Sequence, residues 1–175
     1  MSTYIIRDVR KGLQDTGFFF GPNPLGGLHC LKLAEVPTAV VAPAAWAEQI
    51  SQASVETLAR MPWVYTKENC PFYLLKETLF EHSKTKPEKA LFVDTEESIR
   101  AFIRAEQGIS LWREDDADQA ERDGWGVRWK GQTPRLDLSV AVLENRRREP
   151  EMTAWIKALE NIWDIESSVN EQAAG

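Results

Sequence analysis

Cysteine and histidine are almost missing from this chain, with two of each in 175 residues. Cys30 and Cys70 are too few and too far apart for a disulfide framework or a zinc site, and His29 and His82 add no ligand spacing to them. No resident metal or other cofactor is therefore expected. Long apolar runs, a signal peptide and a lipidation motif are also lacking, which argues against a membrane and places the chain in the cytoplasm. A dense basic face is missing as well. Lys and Arg number 21 against 27 Asp and Glu, for a formal net charge of −6. The run Arg146-Arg147-Arg148 is followed at once by Glu149 and Glu151. Such a balance releases few counterions from a nucleic-acid backbone. Catalytic signatures are equally scarce: there is no nucleophile elbow, phosphate-binding glycine loop or metal-binding pair, so an enzyme is not expected.

What is present is an ordinary globular mixture, 43% hydrophobic and 27% charged, with one very legible stretch from Phe92 to Glu114. Leu91-Phe92-Val93 reads as a short strand. Asp94 or Thr95 caps the helix that follows, and Glu97 stands three residues after Asp94 as a capping box requires. Ile99, Phe102, Ile103 and Ala105 recur at helical spacing, with Gly108 as a left-handed stop before the apolar run Ile109 to Trp112. Strand, helix and parallel strand form the unit of an open α/β sheet, and ligands bind such sheets at the carboxyl ends of the strands. That mouth is Asp94-Thr95-Glu96-Glu97-Ser98.

Elsewhere, Ile6, Val9, Arg10 and Leu13 line one face of a first helix capped by Ser2 or Thr3. Gly17 to Gly21 lacks polar alternation and reads as a strand buried on both faces. Pro22 to Gly27 is a loop, Leu28 to Leu33 a half-buried strand, and Val36 to Val41 a strand ended by Pro43. Ala44 to Ile50 is a weak helix, and Ser54 caps Val55 to Arg60. After a strand Trp63 to Tyr65, a helix runs from Pro71 to about Ser83, with Pro71 suited to its first position. Asp115 opens a weak helix bearing Ala117 and Ala120, which Gly124 stops. Trp125 to Trp129 and Leu136 to Leu143 are strands, the two tryptophans sharing a face. Glu149 to Glu166 is the longest helix, with Trp155 and Trp163 as core or dimer-face residues. Repeated strand-helix alternation predicts an α/β architecture with largely parallel sheet.

Three segments in this order resemble the C-terminal effector-binding domain of LysR-type transcriptional regulators. Ile6 to Gly21 is similar to the family's helix that ends in a glycine before a "D-x-G-hydrophobic" strand. Val36 to Pro43 resembles the strand with a "V-x-P" end that leads out of the first lobe. Glu97-Ser98-Ile99 with Gly108-Ile109-Ser110-Leu111 resembles the second lobe's helix and its "G-x-G-x-x-x-L-P" exit. Gln107 and Ser110 depart from residues that are often small or glycine, and Arg113 stands where proline is common. The family's winged helix-turn-helix, linker helix and first strand-helix-strand do not precede Met1 here. The resemblance thus implies a chain that meets DNA only through an N-terminal domain it does not carry.

The fold so implied is a two-lobed, type II periplasmic-binding-protein-like domain with an incomplete first lobe. Residues 1–43 and 136–175 would form that lobe, 54–131 the second, and 44–53 and 132–135 the crossovers. Its function would be to sense a small-molecule effector, such as a small organic acid, as a homodimer or higher homo-oligomer. The resemblance puts Thr66, Asn69, Cys70, Pro71, Phe72, Thr95, Glu96 and Ser98 on the second-lobe wall of the cleft, and Gly21 and Pro22 on the first. The loop Thr66 to Phe72, beside Lys67 and at a helix start, suits an anion, although Asn69 serves equally as a simple cap. Thr95 and Ser98 admit the same two roles, and Glu96 repels an anion or selects an amine or hydroxyl. Trp46 and Trp112 are freer than the other tryptophans to line a cleft. Two further functions stand beside sensing: an oligomerisation module with a vestigial cleft, and a thiol switch at Cys70.

Overall fold

The computed structural model describes residues 2–24, 26–67, 70–87 and 90–165. In chain order the elements are α1 (Ser2–Arg10), β1 (Thr16–Phe20), β2 (Leu28–Val36), β3 (Thr38–Pro43), α2 (Ala47–Ser51), α3 (Val55–Arg60), β4 (Trp63–Tyr65), α4 (Pro71–Leu79), β5 (Ala90–Phe92), α5 (Glu96–Arg104), β6 (Ser110–Arg113), α6 (Glu114–Arg122), β7 (Gly126–Arg128), β8 (Leu136–Leu143) and α7 (Pro150–Ile162). They divide into two compact units, Met1–Glu35 with Asp137–Gly175, and Val36–Leu136.

In the first unit the strand order is β1-β8-β2, with β1 and β8 antiparallel and Thr16 opposite Val142. The helix α1 lies directly on β1. A Cβ on Gly17 would sit 2.2 Å from Ile5 Cγ2, so the contact admits only glycine. The Ser2 hydroxyl then accepts from the Phe20 amide at 3.0 Å. Leu31, Leu33, Val140 and Leu159 form the core, with Trp155, Ile156 and Trp163 of α7 and its end packed on it. The apolar run of β1 predicts burial on both faces, but Phe19 is 1% exposed and Phe18 is 39%. Phe18 is met only partly, by Trp155 at 6.3 Å and Trp163 at 6.2 Å between ring centroids.

The second unit is a five-strand ladder. β4 and β5 are parallel, Tyr65 opposite Phe92. A parallel bridge from Trp63 to Ile109 joins β4 to the start of β6. β3 runs antiparallel to both β6 and β7, with Thr38 opposite Arg113 and Pro43 opposite Gly126. The order is thus β5-β4-β6-β3-β7, four strands pointing one way and β3 the other. Strand-helix alternation predicts a largely parallel sheet, and four strands run one way, with β3 the antiparallel member. Its pairing with β6 and β7 goes with its place in the second unit, where the resemblance draws the lobe boundary after residue 43.

Helices cover both faces. Ile50 of α2, Leu58 and Ala59 of α3, and Phe80 pack with Trp63, Tyr65, Val40, Ala42, Ile109 and Leu111. Ile99 and Ile103 of α5 and Ala117 and Ala120 of α6 pack with Ala39, Val41, Val64 and Trp112 on the other face. Fully burying a side chain such as Ile103 stabilises by about 1.5–3 kcal/mol. The two alanines let α6 approach closely, and Arg128 of β7 holds its flank through Asp118 at 2.7 Å and Glu121 at 2.9 Å.

Three local expectations change. Trp129 packs with the first of these faces and Trp125 with the second, so they do not share one. Trp112 is 6% exposed against Trp125, which removes it from any cleft lining. The left-handed residue after α5 is Glu106, at φ 60°, rather than Gly108. Gly108 is small for another reason: its Cβ would stand 2.8 Å from the Pro62 carbonyl and 2.9 Å from Val64 Cγ2. Gly108→Ala should therefore destabilise the protein by about 1–3 kcal/mol, the usual cost of overpacking. Urea unfolding with an unchanged slope and a lowered midpoint is the expected reading; a midpoint at the wild-type value would contradict the close approach.

Candidate functional site

Because β4, β5 and β6 are parallel, their carboxyl ends open on one edge of the sheet, and each is followed by a helix start, α4, α5 and α6 in turn. The Val93 amide donates to the Tyr65 carbonyl at 2.8 Å and ties the first two loops together. This edge gathers Thr66, Cys70, Pro71 and Phe72, all half-buried, with Thr95 and Glu96, exposed, and Ser98, half-buried. Asn69 lies outside the described residues. Gly21 and Pro22 belong to the first unit. Gly21 is buried at φ 102°, its amide donating to the Asp137 carbonyl, and Pro22 is exposed.

The hydroxyls at the start of α5 are committed to the helix itself. Thr95 Oγ1 accepts from the Ser98 amide at 3.1 Å and lies 3.1 Å from Ser98 Oγ. Ser98 Oγ donates to Asp94 Oδ1 at 2.6 Å. The cap is thus Thr95, and the residue three positions on is Ser98 rather than Glu97. This bond from Ser98, with backbone amides of Asp94 and Thr95, holds the Asp94 carboxyl below its ordinary range. By contrast, Cys70, the N-cap of α4, makes no side-chain cap bond, and Pro71 follows it. Cys70 and Cys30 are both free thiols, and burial pushes the Cys30 thiol up.

One residue of the edge is noticed from sequence only as a departure from proline. Arg113 is the last residue of β6, and donates from Nε to Asp116 Oδ2 at 2.8 Å. Asp116 chiefly, with Asp115 and Glu96 adding to it, raises its pKa further, so it is a permanent cation. Glu96 therefore lies within the field of a guanidinium, which offsets part of its repulsion of an anion. The signal was available, since any residue closing a parallel strand faces the mouth. A separate open groove of about 620 Å³, floored by Trp129 and rimmed by Glu56, His82 and Gln132, contains none of the expected site residues. Among the described residues no cluster could hold a metal ion, and no helix is long and apolar enough to cross a membrane.

The family model described as the LysR substrate binding domain matches residues 1–163. Among solved structures, the regulatory domain of CcmR from Synechocystis PCC6803, in complex with 2-PG, is 14% identical with a TM-score of 0.75, over 93% of this chain and 79% of that one. The effector binding domain of QuiR, in complex with shikimate, is 13% identical with a TM-score of 0.76, over 93% and 78%. ArgP from Mycobacterium tuberculosis is 18% identical with a TM-score of 0.72, over 98% of this chain and 58% of its own. The chain thus spans about four-fifths of the two isolated domains and under two-thirds of ArgP. No curated protein matches it. The fold is α/β, of the type II periplasmic-binding-protein kind.

Two outcomes check the cap. Thr95→Ala should cost about 1 kcal/mol, and Thr95→Ser much less, in chemical denaturation. Ser98→Ala should return the Asp94 pKa toward its ordinary value in a carboxylate NMR titration. The sign follows from linkage: a depressed folded pKa gives stability that is present above the unfolded carboxylate range and lost as pH falls through the folded value. An Asp94 titration unmoved by Ser98→Ala would contradict the bond.

Proposed function

Because the chain belongs to the LysR substrate binding domain family, we propose that it senses a small-molecule effector and couples its occupancy to transcription control. Domains of this family are regulatory and not enzymatic. The observation that carries the reading is the convergence of three parallel strand ends and three helix starts on one edge of the second unit. Helix starts present amides and a partial positive charge, which suit an acceptor oxygen.

The chemistry of the edge narrows the effector. Asp116, Asp115 and Glu96 all act on Arg113, and Lys67 stands in the loop before α4. A small organic acid would place its carboxylate toward Arg113 and the uncapped start of α4, and turn hydroxyl or amine groups toward Glu96. Thr95 and Ser98 then act mainly by fixing the loop, since their hydroxyls already serve the cap. The working species is a homo-oligomer, with ligand occupancy shifting its conformational balance.

A thermal-shift panel of small hydroxy acids, amino acids and neutral polyols tests this. At a ligand concentration about 100 times Kd, stabilisation of about 2.7 kcal/mol should raise the melting temperature by roughly 5–10 °C. Arg113→Ala should reduce the shift for acids and leave that for polyols. A panel in which nothing shifts, while the protein stays oligomeric, would favour a pure oligomerisation module instead.

A further inference from the structure

Tyr65 closes β4 one residue before Thr66, and its carbonyl holds the next loop through Val93. Its side chain is 1% exposed and fixed from two directions. The ring stacks on Trp63 at 5.7 Å with 4° between planes, and meets Tyr73 of α4 edge-on at 5.1 Å and 88°. Yet its hydroxyl finds no hydrogen-bond partner among the described residues. Burying an unpaired hydroxyl costs free energy that a phenylalanine of the same shape would not.

The ring packs against α4 through Tyr73. Cys70, Tyr73 and Glu77 all act on the hydroxyl electrostatically, and burial, the largest effect, pushes the phenol well above its ordinary range. It is therefore a fixed, neutral donor. After it comes α4, nine residues long, whose N-cap Cys70 makes no side-chain cap bond. A rigid orphan donor and an uncapped helix start thus fall at the same strand end, and both ask for an acceptor oxygen.

We propose that Tyr65 determines ligand specificity: its hydroxyl donates to a carboxylate or phosphate oxygen of a small molecule seated against the start of α4. This rests on the reading of the edge as an effector site and deepens it. Binding gives the hydroxyl the partner that the fold withholds, so the cost of its burial is recovered only in the complex. That makes the site prefer oxyanions over apolar molecules of equal size.

The test is calorimetric titration of the whole chain with inorganic phosphate and with shikimate, for wild type, Tyr65→Phe and Arg113→Ala. Wild type should take up one of the two, phosphate marking a phosphate-ester class and shikimate a hydroxy-acid class. Tyr65→Phe should weaken that binding at least ten-fold, while the unliganded variant melts at or above the wild-type temperature. A purely structural tyrosine would give the opposite pair, unchanged affinity and a lowered melting temperature, and either half overturns the proposal. If Arg113→Ala weakens binding and Tyr65→Phe does not, the anchor falls and the effector edge stands. If neither probe binds wild type, both fall.

Discussion

Strand β3 is buried along all six of its residues, paired on both edges and covered by helices on both faces, and the second unit is arranged around that fact. A strand so enclosed has no water to satisfy its backbone, so each amide and carbonyl needs a partner in the protein. The ladder to β6 and β7 supplies most of them. Beyond the ladder, the Trp129 amide donates to the Val40 carbonyl at 3.0 Å, and the Thr133 hydroxyl to the carbonyl of Thr38. The Thr38 hydroxyl in turn donates to the Pro134 carbonyl at 2.6 Å. Residues 129–134 therefore have their path set by what β3 requires. The same ladder fixes the register of β6, and with it the place of Arg113 opposite Thr38.

From that frame the chemistry of the edge divides into groups already occupied and groups left over. Thr95 and Ser98 look like ligand hydroxyls in a bare sequence, and the structure shows them occupied by Asp94 and the α5 amides. Their contribution is to hold the loop still. Arg113 gives its Nε to Asp116, while the exposed carboxylate of Glu96 and the start of α4, where Cys70 makes no side-chain cap bond, carry no such bond among the described residues. The edge thus sets carboxylates beside the guanidinium of Arg113, so that an acid brought there meets both signs of charge.

Local signals were legible where one residue type has one physical use. Ser54 caps α3 by accepting from the Thr57 amide, Gly124 takes φ +71° after α6, and Pro71 opens α4. The alternation of strands and helices gave the fold class for the same reason, since crossovers leave a periodic trace. Illegible features depend on partners far along the chain. Gly108 is small because of Pro62 and Val64, which spacing around α5 cannot reveal. Trp125 and Trp129 fall on opposite faces because β7 ends at Arg128, so the alternation assumed across both does not hold. The reversal of β3 is set by partners about 70 residues later, and an apolar run carries no direction.

Tyr65 belongs to the same class of hidden features, and shows why it matters for function. In sequence it is one aromatic among several in a short apolar strand, with nothing to separate it from a core residue. Its ring behaves as core, locked between Trp63 and Tyr73. Only the hydroxyl is out of place, and only the structure shows that it is unpaired among the described residues. A fold that needed just the ring would be served better by phenylalanine, because the polar atom subtracts from stability without adding a contact. Where a polar atom is kept against that cost at the mouth of a ligand-binding edge, recognition is the process in which the cost is returned. The stability that the second unit forgoes at Tyr65 is thus available as binding selectivity.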